Sequence, residues 1–354
     1  MVMLATILTL LMMVVLPRVS VGAGQWVKDP NNPILSPTPG AWDAFDIRLP
    51  RVLYDGTTFR MWYIGYRSEQ SGASIGYATS PDGVKWTKYP DPVLQPGPSG
   101  AWDTYTVTLG SVVWNGSLYL MWYRGRGPVA EKGAVGLATS PDGISWTKYA
   151  GNPVMKGSTQ YDISYPYVIK VDGTYKMWYC EGSTEGYRMH YASSVDGIKW
   201  TKYSSAVLTP SSDTKAWDAG SVYSPTVVYD GSTYWMWYSA ADESVKIWLI
   251  GYATSGDGIS WTKYSGNPIL SQGPSGAWDS YDSLDNQGVV LVGTSVMLYY
   301  SADQVVDGKM VSYKIGLARP PEGFAVPEMP SQTLSLFLGV LVLTATMFVW
   351  RRRS

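Results

Sequence analysis

A chain of 354 residues, 45% hydrophobic and 14% aromatic, is long enough to bury a sizeable core. Its formal net charge of −1 excludes a general nucleic-acid surface. A single cysteine, Cys180, excludes an intramolecular disulfide, and a single histidine, His190, excludes a His/Cys metal cluster.

Residues 2–16 (VMLATILTLLMMVVL) have the length of a signal-peptide core, with Val21-Gly22-Ala23 as a cleavage site; a retained anchor is the alternative, since no Lys or Arg precedes the apolar run. Repetition begins at Gln25. The cassette Ile75–Tyr89 (IGYATSPDGVKWTKY) returns at 135–149, 189–203 and 250–264. Each unit opens on a turn, Ala41-Trp42-Asp43, with relatives at Ala101-Trp102-Asp103, Tyr161-Asp162, Ala216-Trp217-Asp218 and Ala277-Trp278-Asp279. A second turn, Asp55-Gly56, leads into Met61-Trp62-Tyr63 and recurs as Asn115-Gly116, Asp172-Gly173 and Asp230-Gly231. Asp-Gly and Asn-Gly tolerate the positive φ of tight hairpin turns. The aspartates of the Trp-Asp turns, 43, 103, 162, 218 and 279, and those within the cassettes, 82, 142, 196 and 257, read as turn caps.

Four short antiparallel strands per repeat, rich in aromatic and β-branched residues, predict an all-β propeller. Residues 297–319 repeat only the first half of a cassette, and Gln25–Leu35 aligns with Ser260–Leu270 as the missing half. The expectation is therefore a five-bladed β-propeller over residues 24–320, its four-stranded blades closed by the N-terminal strand, which removes two sheet edges. Residues 321–333 read as a linker. Residues 334–350 (LSLFLGVLVLTATMFVW) have the length of a transmembrane helix, followed by Arg351-Arg352-Arg353 in a basic cytoplasmic tail, 351–354. With residues 1–23 as leader, this describes a cell-surface protein whose propeller lies outside. Asn115-Gly116-Ser117 is a glycosylation sequon in an exposed turn.

Residues that depart from the repeat at one mouth of the channel are the candidate site. Asp46 stands where other units have Thr106 and Ser221, and Asp282 is read as its fifth-unit counterpart, with Asp285 close behind. Arg48 replaces an uncharged position, and Arg67, Arg124, Arg126, Glu181 and Asp242 differ from blade to blade at the second-strand exits. His190 replaces a glycine found at 76, 136, 251 and 316, and Tyr66, Tyr165 and Tyr187 supply rings. Opposed carboxylates suit glycosidic-bond cleavage at a separation of roughly 5–9.5 Å, with Asp46 as base or nucleophile and Glu181 as general acid. Arg48, Arg67 and Arg124 would clamp a glycan, with Tyr66, Tyr165, His190, Asp242 and Asp282 beside them. The alternative is a non-catalytic propeller that binds a glycan or a neighbouring surface protein. No cofactor is implied. Calcium at the channel centre is compatible with the abundance of oxygen ligands, although no liganding loop can be named.

Three resemblances add to this. The five repeats, the Asp-Gly hairpins and the Thr79-Ser80-Pro81-Asp82-Gly83…Trp86-Thr87-Lys88-Tyr89 cassette resemble the arabinanase/levansucrase/invertase-like superfamily, which contains glycoside hydrolase families 32, 43 and 130. That likeness implies a glycan substrate and a cleft at the channel mouth. At the positions where those families carry catalytic carboxylates, this chain has Leu49-Pro50, Thr108-Leu109-Gly110 and Ser164-Tyr165-Pro166. Arg48-Leu49-Pro50 and Ser80–Trp86 are similar to the Arg-Ile-Pro motif and Asp-box of sialidases, which have six blades, an arginine cluster and a nucleophilic tyrosine paired with a glutamate. Val326-Pro327-Glu328-Met329-Pro330-Ser331 resembles the PEF-type sorting signals of archaeal surface proteins, which implies a membrane transpeptidase-like partner; an ordinary linker ahead of an anchor is the other reading.

Overall fold

The computed structural model describes residues 25–324 apart from 128–131, 158–161, 184–185, 243–246, 282, 294 and 307–308. The segment 1–23 expected as a leader, the sorting-like motif and the apolar segment 334–350 lie outside the described residues, as does Asp282. Among the described residues no helix is long and apolar enough to cross a membrane.

Five antiparallel sheets follow one another in chain order. After β1 (Val27–Lys28), the first blade comprises β2 (Asp46–Tyr54), β3 (Phe59–Tyr66), β4 (Ser74–Ser80) and β5 (Thr87–Lys88). The second holds β6 (Thr106–Trp114), β7 (Tyr119–Arg126), β8 (Ala134–Ser140) and β9 (Thr147–Lys148), with β10 (Met155–Lys156) added beside β8. The third holds β11 (Asp162–Val171), β12 (Thr174–Ser183), β13 (Gly186–Ser194) and β14 (Thr201–Lys202). The fourth holds β15 (Ser221–Tyr229), β16 (Tyr234–Asp242), β17 (Ile247–Ser255) and β18 (Thr262–Lys263). The fifth holds β19 (Leu284–Val292), β20 (Ser295–Val306) and β21 (Lys309–Arg319), and its outer strand is β1, with Val27 opposite Arg319. Five blades and closure by the N-terminal strand are as the repeat count requires.

Tryptophans hold the blades to one another. Trp62, Trp122 and Trp178 are fully buried, and each donates its indole N–H to the turn glycine of the next blade, Gly143, Gly197 and Gly258, at 2.8, 2.9 and 2.8 Å. Each is met edge-on by that blade's cassette tryptophan, Trp146, Trp200 and Trp261, at 6.3, 6.2 and 6.1 Å. Between the fifth and first blades Tyr299 repeats both contacts, with Gly83 and Trp86. Between the fourth and fifth, Trp26 from the N-terminal strand meets Trp237 at 6.3 Å and 83°. The Trp237 indole N–H has no hydrogen-bond partner among the described residues, because the fifth blade lacks the second half of the cassette that offers this carbonyl elsewhere. Edge-to-face pairs of this kind contribute about 0.5–1.5 kcal/mol each beyond the area they bury.

The cassette aspartates cap their own turns, as expected: Oδ1 of Asp82, Asp142, Asp196 and Asp257 each accepts two backbone N–H bonds. The Trp-Asp aspartates do more than cap. Asp43, Asp103, Asp218 and Asp279 bind the cassette lysines Lys88, Lys148, Lys263 and Lys28 at 2.5–2.6 Å.

Two alignments need correction. Asp162 lies opposite Gly182 as Asp46 lies opposite Tyr66, so it is the counterpart of Asp46 rather than of Asp43. In the fifth blade Leu284 pairs with Ala302 as Ile47 pairs with Gly65, so the counterpart of Asp46 is Ser283 and that of Arg48 is Asp285. One extra residue after Trp278 shifts the count that pointed to Asp282.

Candidate functional site

Every blade's inner strand starts at the same mouth of the channel and bends there. The register shifts after Arg48, Ser164, Tyr223 and Asp285, and the next residues, Leu49, Tyr165, Ser224 and Asn286, take positive φ of 49–58°. Left-handed backbone at non-glycine residues is strained, and it persists where the surroundings fix it. Here the preceding blade does so: Leu49 N–H donates to Ser301 Oγ at 3.0 Å and Asn286 N–H to Ser239 Oγ at 2.9 Å. Cys180 is in that position for the Ser224 N–H, and burial pushes its thiol up to about 12.

Side chains from all five blades meet at this mouth. The Arg48 guanidinium lies 5.3 Å from the Tyr66 ring centre and 4.1 Å from that of Tyr313, and it is ion-paired with Asp46. Arg124 binds Asp162 at 2.6 Å and the Ile163 carbonyl at 2.8 Å. Tyr165 packs against Tyr187 and Tyr223 at 6.4 and 5.5 Å. Tyr223 donates to Asp285 Oδ2 at 3.2 Å, and Asp285 is within electrostatic reach of Arg48 and Tyr313, which closes the ring.

Of the ring's three carboxylates, Asp162 is held by Arg124, and burial acts on the other two. Burial pushes Asp285 up to about 7, against the pull of Arg48 and of hydrogen bonds from Tyr223 and Asn286, and its Oδ1 has no close hydrogen-bond partner among the described residues. Desolvation is the dominant cause, as it is for a carboxyl kept protonated near neutrality. Asp46 is fully buried, which raises its pKa against the opposing pull of Arg48. It stands at a rung where the preceding blade's backbone is held: Thr106 Oγ1 accepts from Ala73 N, Asp162 Oδ1 from Gly133 N, and Ser221 Oγ from Tyr187 N. Asp46 faces the Tyr313 N–H in the same way.

Glu181 and His190 stand apart from this ring. The third blade has no Trp-Asp turn in its sequence, and these two residues fill its place. Glu181 binds Lys202 at 3.1 Å, the pairing that Asp43 makes with Lys88. The His190 imidazole stacks on Tyr179 at 5.8 Å and 30°, as Trp42 stacks on Tyr63 at 5.9 Å and 22°. A Cβ on Gly76 would lie 2.7 Å from Trp42, so a side chain fits at that position only where the tryptophan is missing. Burial lowers the His190 pKa, against the pull of Glu181. Asp46 and Glu181 share no partner among the described residues. Arg67 is exposed just past β3, and Asp242 ends β16 at the mouth.

Below the ring the axis is occupied by Arg51, a residue that no motif or departure from the repeat singles out. Its guanidinium donates to Gly110 O at 2.6 Å, Thr226 Oγ1 at 3.0 Å, Pro225 O at 3.4 Å and Gln287 O, and lies 5.1 Å from the Tyr167 ring. One side chain thus contacts the four other blades. Among the described residues no carboxylate pairs with it, and burial lowers its pKa to about 10. A calcium ion on the axis would meet this positive charge, so the residues present do not fit one. A cavity of about 20 Å³ remains beneath, lined in part by Arg51, Val112 and Val289, room for about one water.

An open groove of about 520 Å³ on the second blade runs past Trp102, Trp146 and Tyr149, but its polar groups Asp103, Lys148 and Asn152 are engaged in the fold. The mouth therefore remains the candidate site.

No family model matches the chain. Solved structures of similar fold include a thermostable family-43 glycoside hydrolase, at TM-score 0.63 and 19% identity over 83% of this chain and 98% of that one. Another is described as belonging to the GH130 family of mannoside phosphorylases, containing glycoside hydrolases that target β-1,2 mannosidic linkages in Candida mannan, at TM-score 0.63 and 20% identity over 86% and 96%. At such identities the likeness is one of fold. The proteins of Mycobacterium tuberculosis named Uncharacterized protein MT1551 (strain CDC 1551 / Oshkosh) and Uncharacterized protein Rv1502 (strain ATCC 25618 / H37Rv) are each 32% identical over 255 residues, 68% of this chain and 82% of theirs. The chain is a member of the same family as these two mycobacterial proteins.

Proposed function

We propose that the chain is a carbohydrate-active propeller that acts on glycans at the mouth formed by its inner-strand starts. The reaction read from the site is glycosidase-type: Asp285 donates the proton to the leaving oxygen, and Asp46, beside Arg48, is the second carboxylate. The observation that carries this is Asp285 itself, a buried carboxyl titrating near 7 with one oxygen unpartnered, in a ring of tyrosines and an arginine. A donor must be protonated at working pH, and this environment supplies that condition. Tyrosine rings suit stacking on sugar faces. The fold shared with families 43 and 130 supports the substrate class.

Glu181 is left out of this assignment because Lys202 and the third-blade turn already account for it. The second reading is a glycan-binding propeller without turnover. It is favoured by Asp46 being fully buried and held by Arg48, which leaves no second carboxylate open to a substrate.

The test is release of sugar from a glycan panel by the full-length protein, with and without phosphate, beside Asp285→Asn and Asp46→Asn. Turnover lost in Asp285→Asn supports the donor assignment. Glycan binding without turnover selects the second reading, and neither binding nor turnover removes the proposal.

For location, the reading is an exported protein cut after residue 23 and held by residues 334–350, with 351–354 inside and the propeller outside; the motif at 326–331 would be the handle for a sorting transpeptidase. The support is in the sequence alone. Protease shaving of intact cells tests it: a propeller that survives shaving while a cytoplasmic marker also survives would overturn it.

A further inference from the structure

The mouth contains a third arginine that the ring does not neutralise. Arg126 ends β7 on the same strand face as Arg124, two residues nearer the mouth. Arg124 is immobilised: it binds Asp162, whose Oδ1 accepts the Gly133 N–H at 2.6 Å, and a Cβ on Gly133 would lie 2.4 Å from Arg124 Nε. Arg126 has no ion pair among the described residues. Its Nε is buried without a hydrogen-bond partner, and its guanidinium lies 5.1 Å from the ring centre of Tyr105, a residue 39% exposed at the rim. The counterparts of Arg126 on the other second strands, by register against the inner strands, are Tyr66, Gly182, Ala241 and Asp303. The second blade alone places a cation at this rung.

A half-buried guanidinium that no described carboxylate pairs costs free energy that a ligand carboxylate would recover, because a charge-assisted, bidentate pair is about twice as strong as a neutral hydrogen bond. A sugar carboxylate lies in the plane of its own substituents and matches the guanidinium fork, while the sugar ring presents an apolar face of the kind that stacks on tyrosine. Neutral hydroxyls would use one of these features but leave the charge uncompensated.

We propose that the glycan bound at the mouth is anionic, a uronate-containing oligosaccharide whose carboxylate is held by Arg126 beside Tyr105. This rests on the mouth being a glycan site; Arg126 sets which glycan enters it.

The test is calorimetric titration of the full-length protein with glucuronate and galacturonate oligosaccharides and with their carboxyl-reduced counterparts, at low and moderate salt. A uronate oligosaccharide should bind at least about tenfold more tightly than its reduced form, with the preference shrinking as salt rises. Arg126→Gln should abolish the preference, and Arg126→Lys should keep part of it, since lysine keeps the charge but not the fork. Equal binding of both forms overturns the anionic assignment, and a preference that survives Arg126→Gln overturns the assignment of the carboxylate to Arg126; either leaves the glycan site standing. Failure of every oligosaccharide to bind overturns both.

Discussion

The imidazole of His190 lies on the ring of Tyr179 at 5.8 Å, the separation that Trp102, Trp217 and Trp278 keep from Tyr123, Tyr238 and Tyr300. A smaller ring thus replaces tryptophan in the blade that lost its Trp-Asp turn, and Glu181 replaces the aspartate. Two departures that look functional in the sequence repair one structural gap. Glu181→Gln should lower the melting temperature by a few degrees at most, since a partly exposed ion pair contributes about 0–1 kcal/mol. Sugar release should persist, and loss of turnover with an unchanged melting temperature would return Glu181 to the site.

Asp285 should make stability depend on pH. Its folded pKa, about 7, lies above the unfolded value, so the native state binds the extra proton. The contribution is full below about pH 4 and lost as pH rises through 7, at most ~4 kcal/mol for one group shifted this far. Chemical denaturation from pH 4 to 8 should show this slope in the wild type and a flatter profile in Asp285→Asn. Turnover, which needs the protonated donor, should fall over the same upper range.

Arg48→Gln should destabilise strongly, by roughly 3–5 kcal/mol, because it leaves the Asp46 carboxylate buried without its partner. Asp46→Asn added to it should recover part of that loss. Additive losses in the double-mutant cycle would mean that the pair is not coupled.

Arg51→Met keeps the volume but strands the carbonyls of Gly110 and Gln287 on the axis. A loss of roughly 2–5 kcal/mol is expected. An unchanged denaturation midpoint would show that water can do the work of the guanidinium.

Trp26→Ala removes the ring by which the N-terminal strand meets Trp237. The cost should be about 3–5 kcal/mol, that of a buried aromatic truncated in a packed core. Hydrogen exchange should quicken first in β1 and β21, the strands that close the fifth blade. Uniform quickening across all blades would argue that closure is not local.

The repeat determined the fold. Trp86, Trp146, Trp200 and Trp261, the Asp-Gly turns and the split fifth cassette specify strands, blade count and closure, because each encodes a local hairpin or a contact repeated at every blade boundary. The site was legible only in part. Asp46, Arg48, Tyr66, Arg124 and Tyr165 are visible as departures from the repeat, and the structure brings them to one mouth. Their partners are not visible, since the register at the inner-strand bends, and one extra residue after Trp278, decide that Ser283 rather than Asp282 is the counterpart of Asp46 and that Asp285 is the counterpart of Arg48. Only the tertiary structure separates Glu181 and His190 from the ring, because what they replace is missing from the third blade and present in the other four. Arg51 shows the same limit: its role comes from four other strands converging on the axis, and no stretch of sequence around it records that convergence.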